Sequence, residues 1–456
     1  MKKSFLYALT FAMATGAFTS CSDDNNEDIT PEEPIVPGSQ FVANTPYTFV
    51  TAGGIDDNGL NLSVNGMPTL GKTVTFTRNN DNTGTLTVAG EMMDMSEMLG
   101  ELIGGLMPSP EDPETKASEG LGMPTPGILP GTPVLNIPVT LEGDNEETTF
   151  SGSGESDFCT YSYSGTLFTD SLDFKVTDVK LKDTSMAGTY EVPTYVYNDD
   201  TWEYEGINPT TVTWESSKQI ELMPGFGMPV QTIVSLMLVM PMIPSPFGEV
   251  DEEGNVQPLP IFDVLPRVLK TVTFGEDGNI YAHYVDTKDP AFAEKDSPAG
   301  VAQYVVDKEG QIRIFLNPQQ IAYVTMMNAM QNTRALDIES LLGSLMTQVL
   351  PMVQNGIPMT VKPYQEIVTD DWTGEVTVTD TEATSFVLTT ETLLPLFKML
   401  APVVTDPDMM QMIIEKASAD PNMGSMASML EPILTALPEI IDGTTNIEVG
   451  INMVKK

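Results

Sequence analysis

Few side chains in this sequence have the types and spacing for covalent or metal chemistry. There is one histidine, His283, and there are two cysteines, Cys21 and Cys159. A catalytic triad through His283 would need a nucleophile on a Gly-x-Ser-x-Gly elbow, and no such elbow occurs. Zinc sites need clusters of Cys and His that this chain lacks. Neither a Gly-x-x-x-x-Gly-Lys-(Ser/Thr) loop nor a strand-bound Gly-x-Gly-x-x-Gly is present to cradle phosphate. Three acidic, glycine-bearing stretches suggest calcium at first sight: Asp56-Asp57-Asn58-Gly59, Asp251-Glu252-Glu253-Gly254-Asn255 and Glu276-Asp277-Gly278. None has the alternating ligand spacing with a distal Glu that a calcium loop requires, and each reads as a hairpin turn. The 64 Asp and Glu residues supply carboxylate pairs in plenty, but no spacing selects one pair for glycoside hydrolysis. The expectation is therefore a protein that is not an enzyme, with no catalytic residues, no metal ligands and no cofactor.

What remains is recognition. Tyr195, Tyr197, Trp202 and Tyr204 flank Asn198-Asp199-Asp200, the pattern of a hairpin with aromatics on both arms. Strand alternation sends each pair to one face of its arm. If that face looks inward, the rings are core, since cross-strand aromatic pairs stabilise sheets. If it looks outward, they form a platform for a sugar ring or an apolar ligand. These four are the candidate ligand-binding residues.

The charge balance limits the partners. Lys and Arg number 21 against 64 Asp and Glu, a formal charge of −43. That excludes wrapping a nucleic acid, which needs clustered cations, and disfavours adhesion to anionic lipid. It suits a soluble, self-repelling surface. With Cys21 in a leader, Cys159 has no disulfide partner, so stability has to come from packing.

The leader reads clearly. Met1-Lys2-Lys3 is a basic start, and the apolar run from Phe5 to Phe18 is too short to span a bilayer. It ends in Phe18-Thr19-Ser20-Cys21, which resembles a bacterial lipobox with Phe18 where leucine is usual. Cys21 is then the acylated first residue of the mature chain. The acidic run Ser22 to Asp28 resembles the surface-export signal of Bacteroidetes lipoproteins. Pro31, Pro34 and Pro37 stiffen a tether after it.

The elements that must position the aromatics are mostly strands, and some of them recur. Lys72-Thr73-Val74-Thr75-Phe76 returns as Lys270-Thr271-Val272-Thr273-Phe274. Ile137-Pro138-Val139-Thr140-Leu141 returns as Ile357-Pro358-Met359-Thr360-Val361. Between each pair lies an apolar helical segment, with Leu99-Gly100-Glu101-Leu102-Ile103 in one and Leu342-Gly343-Ser344-Leu345-Met346 in the other. Three cognates in one order predict a duplicated domain. Period-two alternation predicts strands around 72–77, 85–88, 135–141, 148–153, 160–168 and 172–181, the last with a phase slip that implies a bulge near Thr177-Asp178. Met92, Met95, Leu99, Leu102 and Leu106 form a helical stripe. In the second half, Gly188–Val192, 270–274, 280–285, 300–306, 312–316, 357–361, 374–379, 384–388 and 446–454 read as strands. Helices are expected at 230–240, 317–330, 338–353, 390–400, 408–417 and 423–441. The proline in each Ile-Pro strand removes a ladder donor and places that strand at an edge or seam.

Asn82-Thr83-Gly84-Thr85-Leu86, Ile137-Pro138-Val139-Thr140, Phe150-Ser151-Gly152 and Tyr163-Ser164-Gly165-Thr166-Leu167 resemble the motifs of the calycin-like, lipocalin-like β-barrel domains of Bacteroidetes surface lipoproteins. The resemblance covers most of the first half and is weaker in the second. It implies a barrel fold and carries no catalytic motif.

The expected architecture is mainly β with inserted helices (α+β), in two diverged lipocalin-like antiparallel β-barrel repeats. The domain reading is a signal peptide over 1–20, an acidic and Pro-rich tether over 21–44, a first barrel over 45–187, and over 188–456 a second barrel enlarged by a Met-rich helical insertion. The expected function is non-catalytic binding of an apolar or glycan-like small ligand, in or beside a barrel, at the outer membrane surface with the lipid anchor as the one membrane attachment. The alternative is a surface scaffold or accessory subunit that docks an outer-membrane protein partner through its Met-rich helices.

Overall fold

A computed structural model describes residues 36–51, 59–94, 122–143, 147–250, 256–317, 356–369, 376–419 and 424–456, apart from 70, 81, 91, 199, 202, 224, 242, 244, 288 and 308–309. Cys21, Trp202, the stripe from Met95 to Leu106 and the two helices expected over 317–330 and 338–353 lie outside the described residues.

The first barrel is built by β1 (Pro46–Thr51), β2 (Gly59–Val64), β3 (Met67–Pro68), β4 (Lys72–Asn80), β5 (Thr83–Gly90), β6 (Met92–Asp94), β7 (Gly122–Pro124), β8 (Val134–Thr140), β9 (Glu142–Gly143), β10 (Thr148–Glu155), β11 (Cys159–Leu167) and β12 (Ser171–Leu181). The wall runs β8-β5-β4-β1-β2-β12-β11-β10-β9, with β3 returning on β2 and β6 pairing β7 apart from it. The far ends nearly meet, because β8 lies beside β10. β8 is thus the seam strand its proline implied, with Pro138 turned to solvent. Alternation is strict where it was expected: in β4 the side chains of Val74 and Phe76 are fully buried and the intervening threonines are not. In β12 the phase slips at Asp178, which takes φ +53° as the register jumps from Ser162–Thr177 to Thr160–Lys180.

Three cross-strand pairs on β10 and β11 explain glycines in and beside the motifs above. Gly152 faces Tyr163, Gly154 faces Tyr161 and Gly165 faces Phe150. A Cβ at Gly165 would stand 2.4 Å from Phe150 Cζ and 2.6 Å from the Asp173 carbonyl oxygen. Each ring occupies the space a side chain on its glycine would take, and Tyr163 reaches across β10 to donate its hydroxyl to the Pro138 carbonyl on the seam strand (3.0 Å). Aromatics covering bare backbone in this way pin strand register. Inward-facing side chains from Phe49 to Val179 fill the barrel, each at most 9 % exposed.

The second barrel uses β13 (Gly188–Glu191), β14 (Tyr195–Asn198), β15 (Glu203–Gly206), β16 (Thr210–Ser216), β17 (Gln219–Met223), β18 (Phe226–Pro229), β19 (Leu269–Phe274), β20 (Asn279–Val285), β21 (Glu294–Asp296), β22 (Ala302–Val306), β23 (Ile312–Leu316), β24 (Ile357–Thr369), β25 (Val376–Leu388) and β26 (Thr444–Lys455). The wall β13-β19-β20-β22-β23-β24-β25-β26 closes when β13 pairs β26. β16 extends the β26 edge that the short β13 leaves open. β14–β15 and β17–β18 are separate ribbons. Five described helices pack outside: α1 (Val230–Val239), α2 (Ile261–Val268), α3 (Thr390–Val404), α4 (Pro407–Ala419) and α5 (Gly424–Asp442). α1 and α5 enclose a second small core around Ile220, Val230, Ile233 and Ile440. Trp214 of β16 joins it, stacking on Phe397 at 5.2 Å and donating its indole N–H to Thr444 Oγ1 (2.9 Å).

The two barrels share one core. Tyr304, Phe274, Tyr190 and Phe386 form a ring cluster with centroids 5.0–5.6 Å apart, continuous with Val179 and Leu181 of the first barrel. The turn before β20 sits on the first barrel: Leu181 donates its N–H to the Glu276 carbonyl (2.8 Å). Gly278, at φ +82°, has Pro130 and Leu181 where a side chain would go.

Three readings of the sequence need correction. Met92 starts a strand, not a helix, because Gly122–Pro124 offers it a pairing partner that residue periodicity cannot reveal. The segments read as separate strands at 374–379 and 384–388 belong to one 13-residue strand, β25, whose described part starts at Val376. The repeats align only in part. Each Lys-Thr-Val-Thr-Phe strand pairs with the first strand of its barrel, and even the rung is the same: Thr48 bonds Thr75 at 3.0 Å and Thr189 bonds Thr273 at 2.9 Å. The Ile-Pro strands differ, since β8 pairs β5, the hairpin partner of the repeated strand, whereas β24 pairs β23 and β25, with β22 and β23 between it and β20. β24 is also paired on both sides, so Pro358 is accommodated opposite Arg313, before the β25 ladder begins at Thr360, rather than at an edge.

Candidate functional site

The aromatic hairpin is neither barrel core nor a free-standing platform. β14 and β15 form a two-stranded ribbon outside the wall, with Tyr197 opposite Tyr204 and Tyr195 opposite Gly206. Because Gly206 has no side chain, Tyr204 stacks diagonally on Tyr195, at 4.8 Å and 10°. Tyr197 meets Tyr204 edge-on at 5.1 Å. The inner edge of this group rests on Phe262 of α2, which contacts Tyr195 and Tyr204 at 5.5 and 5.4 Å in T-shaped geometry. Such contacts contribute about 0.5–1.5 kcal/mol each beyond area burial. Phe262 is buried, while Tyr197 and Tyr204 remain 42 % and 37 % exposed. One side of the ring group is therefore anchored and the other faces solvent.

Acidic residues border it. Burial raises the Tyr195 hydroxyl pKa, and the charge of Glu366 raises it further. Burial raises Tyr204, with Tyr197 and Asp263 adding to it. Tyr364 of β24 belongs to the same neighbourhood: burial, the Glu366 carboxylate and Tyr195 push it up to about 12. Asp263 is itself held by Arg267 in a two-pronged pair at 2.9 and 3.2 Å. On the ribbon's other face Asn198 donates to Glu205 (2.5 Å) and caps the turn by accepting from the Asp200 N–H (2.9 Å). The site offers tyrosine faces, phenolic hydroxyls that stay protonated at neutral pH, and carboxylate acceptors. Phe262, Tyr364 and Glu366 escaped the sequence reading, since they come from a helix and a strand remote in sequence. The alternation of Tyr364 and Glu366 along β24 was the one available signal.

The other reactive side chains have local duties. His283 lies between two carboxylates, with Nδ1 2.8 Å from Asp296 and Nε2 3.2 Å from Glu294. The Cys159 thiol is buried and its pKa is raised by desolvation, against the opposing Ser156 hydrogen bond and Lys182 charge. Asp277 accepts from Asn279 N (3.0 Å), Asn279 Nδ2 (2.7 Å) and Tyr281 Oη (3.2 Å), so this acidic stretch is a turn. The stretches 52–58 and 251–255 lie outside the described residues. Among the described residues no three acidic, His or Cys side chains are grouped to hold a metal. Between the barrels, a cleft of about 290 Å3 is lined by Leu129, Gly131, Gln303 and Phe315. A smaller void of about 40 Å3 beside it, bordered by the buried Lys72, has room for a water or two. Lys72 donates to the Pro126 carbonyl (2.5 Å).

Comparison with known proteins yields no match: no family model fits the chain, and no curated protein or solved structure resembles it significantly.

Proposed function

We propose that this chain is a lipid-anchored outer-surface protein, built on two diverged lipocalin-like barrels, that binds an apolar or glycan-like ligand without catalysis. The ligand sits beside the second barrel, on the solvent side of the Tyr197–Tyr204 pair. The observation that carries the reading is the half-exposure of these two rings on a ribbon whose opposite edge is anchored by Phe262. A rigid ring with one open face is what a sugar or an apolar group stacks against, while Glu366 and the phenols supply hydrogen-bond partners. The filled interior of the first barrel favours a site outside the wall over one within it.

A glycan array followed by calorimetric titration tests this, on the intact protein and on Tyr197→Ala and Tyr204→Ala. Binding should fall at least tenfold in both variants, with the fold retained by circular dichroism. Equal binding by all three proteins would refute the site. For the anchor, Cys21→Ser should leave an unprocessed or soluble precursor; unchanged detergent partitioning would count against lipidation there.

A further inference from the structure

β24 and β25 are each 13 residues long, but the barrel uses only part of them. β24 pairs β23 at Ile357–Met359 alone, and β25 pairs β26 at Ala383–Leu388 alone. A register shift between Pro363 and Gln365 re-aims the ribbon, and five further rungs follow, from Gln365–Asp380 to Thr369–Val376. Over these rungs, among the described residues, neither strand has a third strand beside it. An antiparallel ribbon satisfies only alternate backbone groups internally, so among the described residues both outer edges carry N–H and C=O groups with no strand partner.

Proteins often blunt such edges with lysine or proline. Here residues 364–381 include no Lys, Arg or Pro. The solvent face instead carries Ile367 directly opposite Val378, 66 % and 53 % exposed. Next to them Gln365 donates to Asp380 across the strands (2.8 Å). The charges in the ribbon are all of one sign: Glu366 on its inner face, Asp380 on its outer face and Glu382 at its base.

We propose that this arm is a docking edge for an extended, basic segment of another protein, which adds to it as a third strand. Strand addition draws affinity from main-chain hydrogen bonds and specificity from alternate side chains. The occupant's apolar residues would lie along Ile367 and Val378, and its Lys or Arg residues against Asp380 and Glu382. A second copy of this chain is a poor occupant, because its own arm repeats the same negative charge and the whole chain carries −43.

The test uses the full-length protein and a synthetic peptide of alternating Val and Lys/Thr, with two controls: the same peptide N-methylated at alternate residues, and its Glu-for-Lys counterpart. The Lys peptide should bind, and its binding should slow hydrogen exchange at least tenfold for outward-facing amides in Gln365–Thr369 or Val376–Asp380. N-methylation should abolish binding, and the Glu peptide should bind at least tenfold more weakly. Ile367→Lys with Val378→Lys should lower affinity at least tenfold with an unchanged melting temperature, as expected for exposed positions. Equal binding of the N-methylated peptide, or binding without protection in the arm, would mean ionic adhesion alone and would overturn the proposal. Protection of the arm by raised protein concentration without peptide would assign it to self-association and overturn it equally.

Discussion

Asn452 is the position at which the packing of the second barrel is most open to test. It is fully buried on β26, and its amide is saturated. Nδ2 donates to the Asn208 carbonyl (2.7 Å) and the Thr210 carbonyl (3.2 Å). Oδ1 accepts from Thr211 Oγ1 (2.7 Å) and Ser385 Oγ (2.6 Å). One side chain thus ties β16 and β25 to the strand between them, where the short β13 leaves the wall thin. Asn452→Leu keeps the branching and heavy-atom count of the side chain, in a somewhat larger volume, and removes all four bonds. Thr211 is half-buried and turns to water, but Ser385 is only 1 % exposed and the Asn208 carbonyl loses its amide donor. Each stranded group costs about 1–3 kcal/mol, and the added apolar burial returns about 1, so the net loss is about 3 kcal/mol. Spread over the roughly 270 residues of the second half, with about 2.1 cal/mol/K of unfolding entropy per residue, that lowers the melting temperature by about 5 °C. Calorimetry of both proteins reads it. The companion Ser385→Ala should cost less in the Asn452→Leu background than alone, by about 1–2 kcal/mol, because the orphaned hydroxyl is gone. Asn452→Asp should be worse than Asn452→Leu at neutral pH, since a carboxylate would face two carbonyls. It should recover on acidification, as the protonated form regains a donor. An Asn452→Leu protein melting within about 1 °C of the parent, or strictly additive costs, would refute the network.

Two further outcomes follow from the geometry. Gly165→Ala places its Cβ against the Asp173 carbonyl oxygen, a backbone atom that cannot swing aside, so about 1–3 kcal/mol of stability should be lost; a neutral result by urea unfolding would show that the Phe150 cover is loose. At His283, both ring nitrogens face carboxylates, so only the doubly protonated ring donates to both, and its hydrogen bonds to Asp296 and then to Glu294 raise its pKa. A raised folded pKa means that the contribution is complete below the unfolded value of about 6.5 and fades as pH rises through the folded value. Being the one histidine, it gives a single imidazole titration by NMR; a midpoint at or below 6.5, or an unchanged midpoint in Glu294→Gln with Asp296→Asn, would contradict the clamp.

How far the sequence could be read depended on how many faces of each strand are covered. In the first barrel one face meets the core and the other meets water, so Val134 to Thr140 alternates without exception and even the Asp178 bulge shows as a phase slip. In the second, helices and ribbons lie against the outside of the wall. β19 and β20 accordingly show intermediate burial on both faces along most of their length, and their alternation says little about direction. The helices at 230–239, 390–404, 407–419 and 424–442 were legible to within a few residues at their ends, as 230–240, 390–400, 408–417 and 423–441. α2 was not, because Pro266 sits inside an eight-residue helix, where proline argues against helix.

The same difference bears on the candidate site. Parity alone placed Tyr195 and Tyr197 on one face, and it placed Tyr204 on one face of the opposite arm, both of which hold. Which environment that face meets was out of reach, because it is set by Phe262, and Phe262 is presented by the helix that local propensity conceals. The ribbon takes its place from Phe262 of α2, a helix that itself packs Leu265 on the main core, and none of these contacts lies close in sequence to the hairpin.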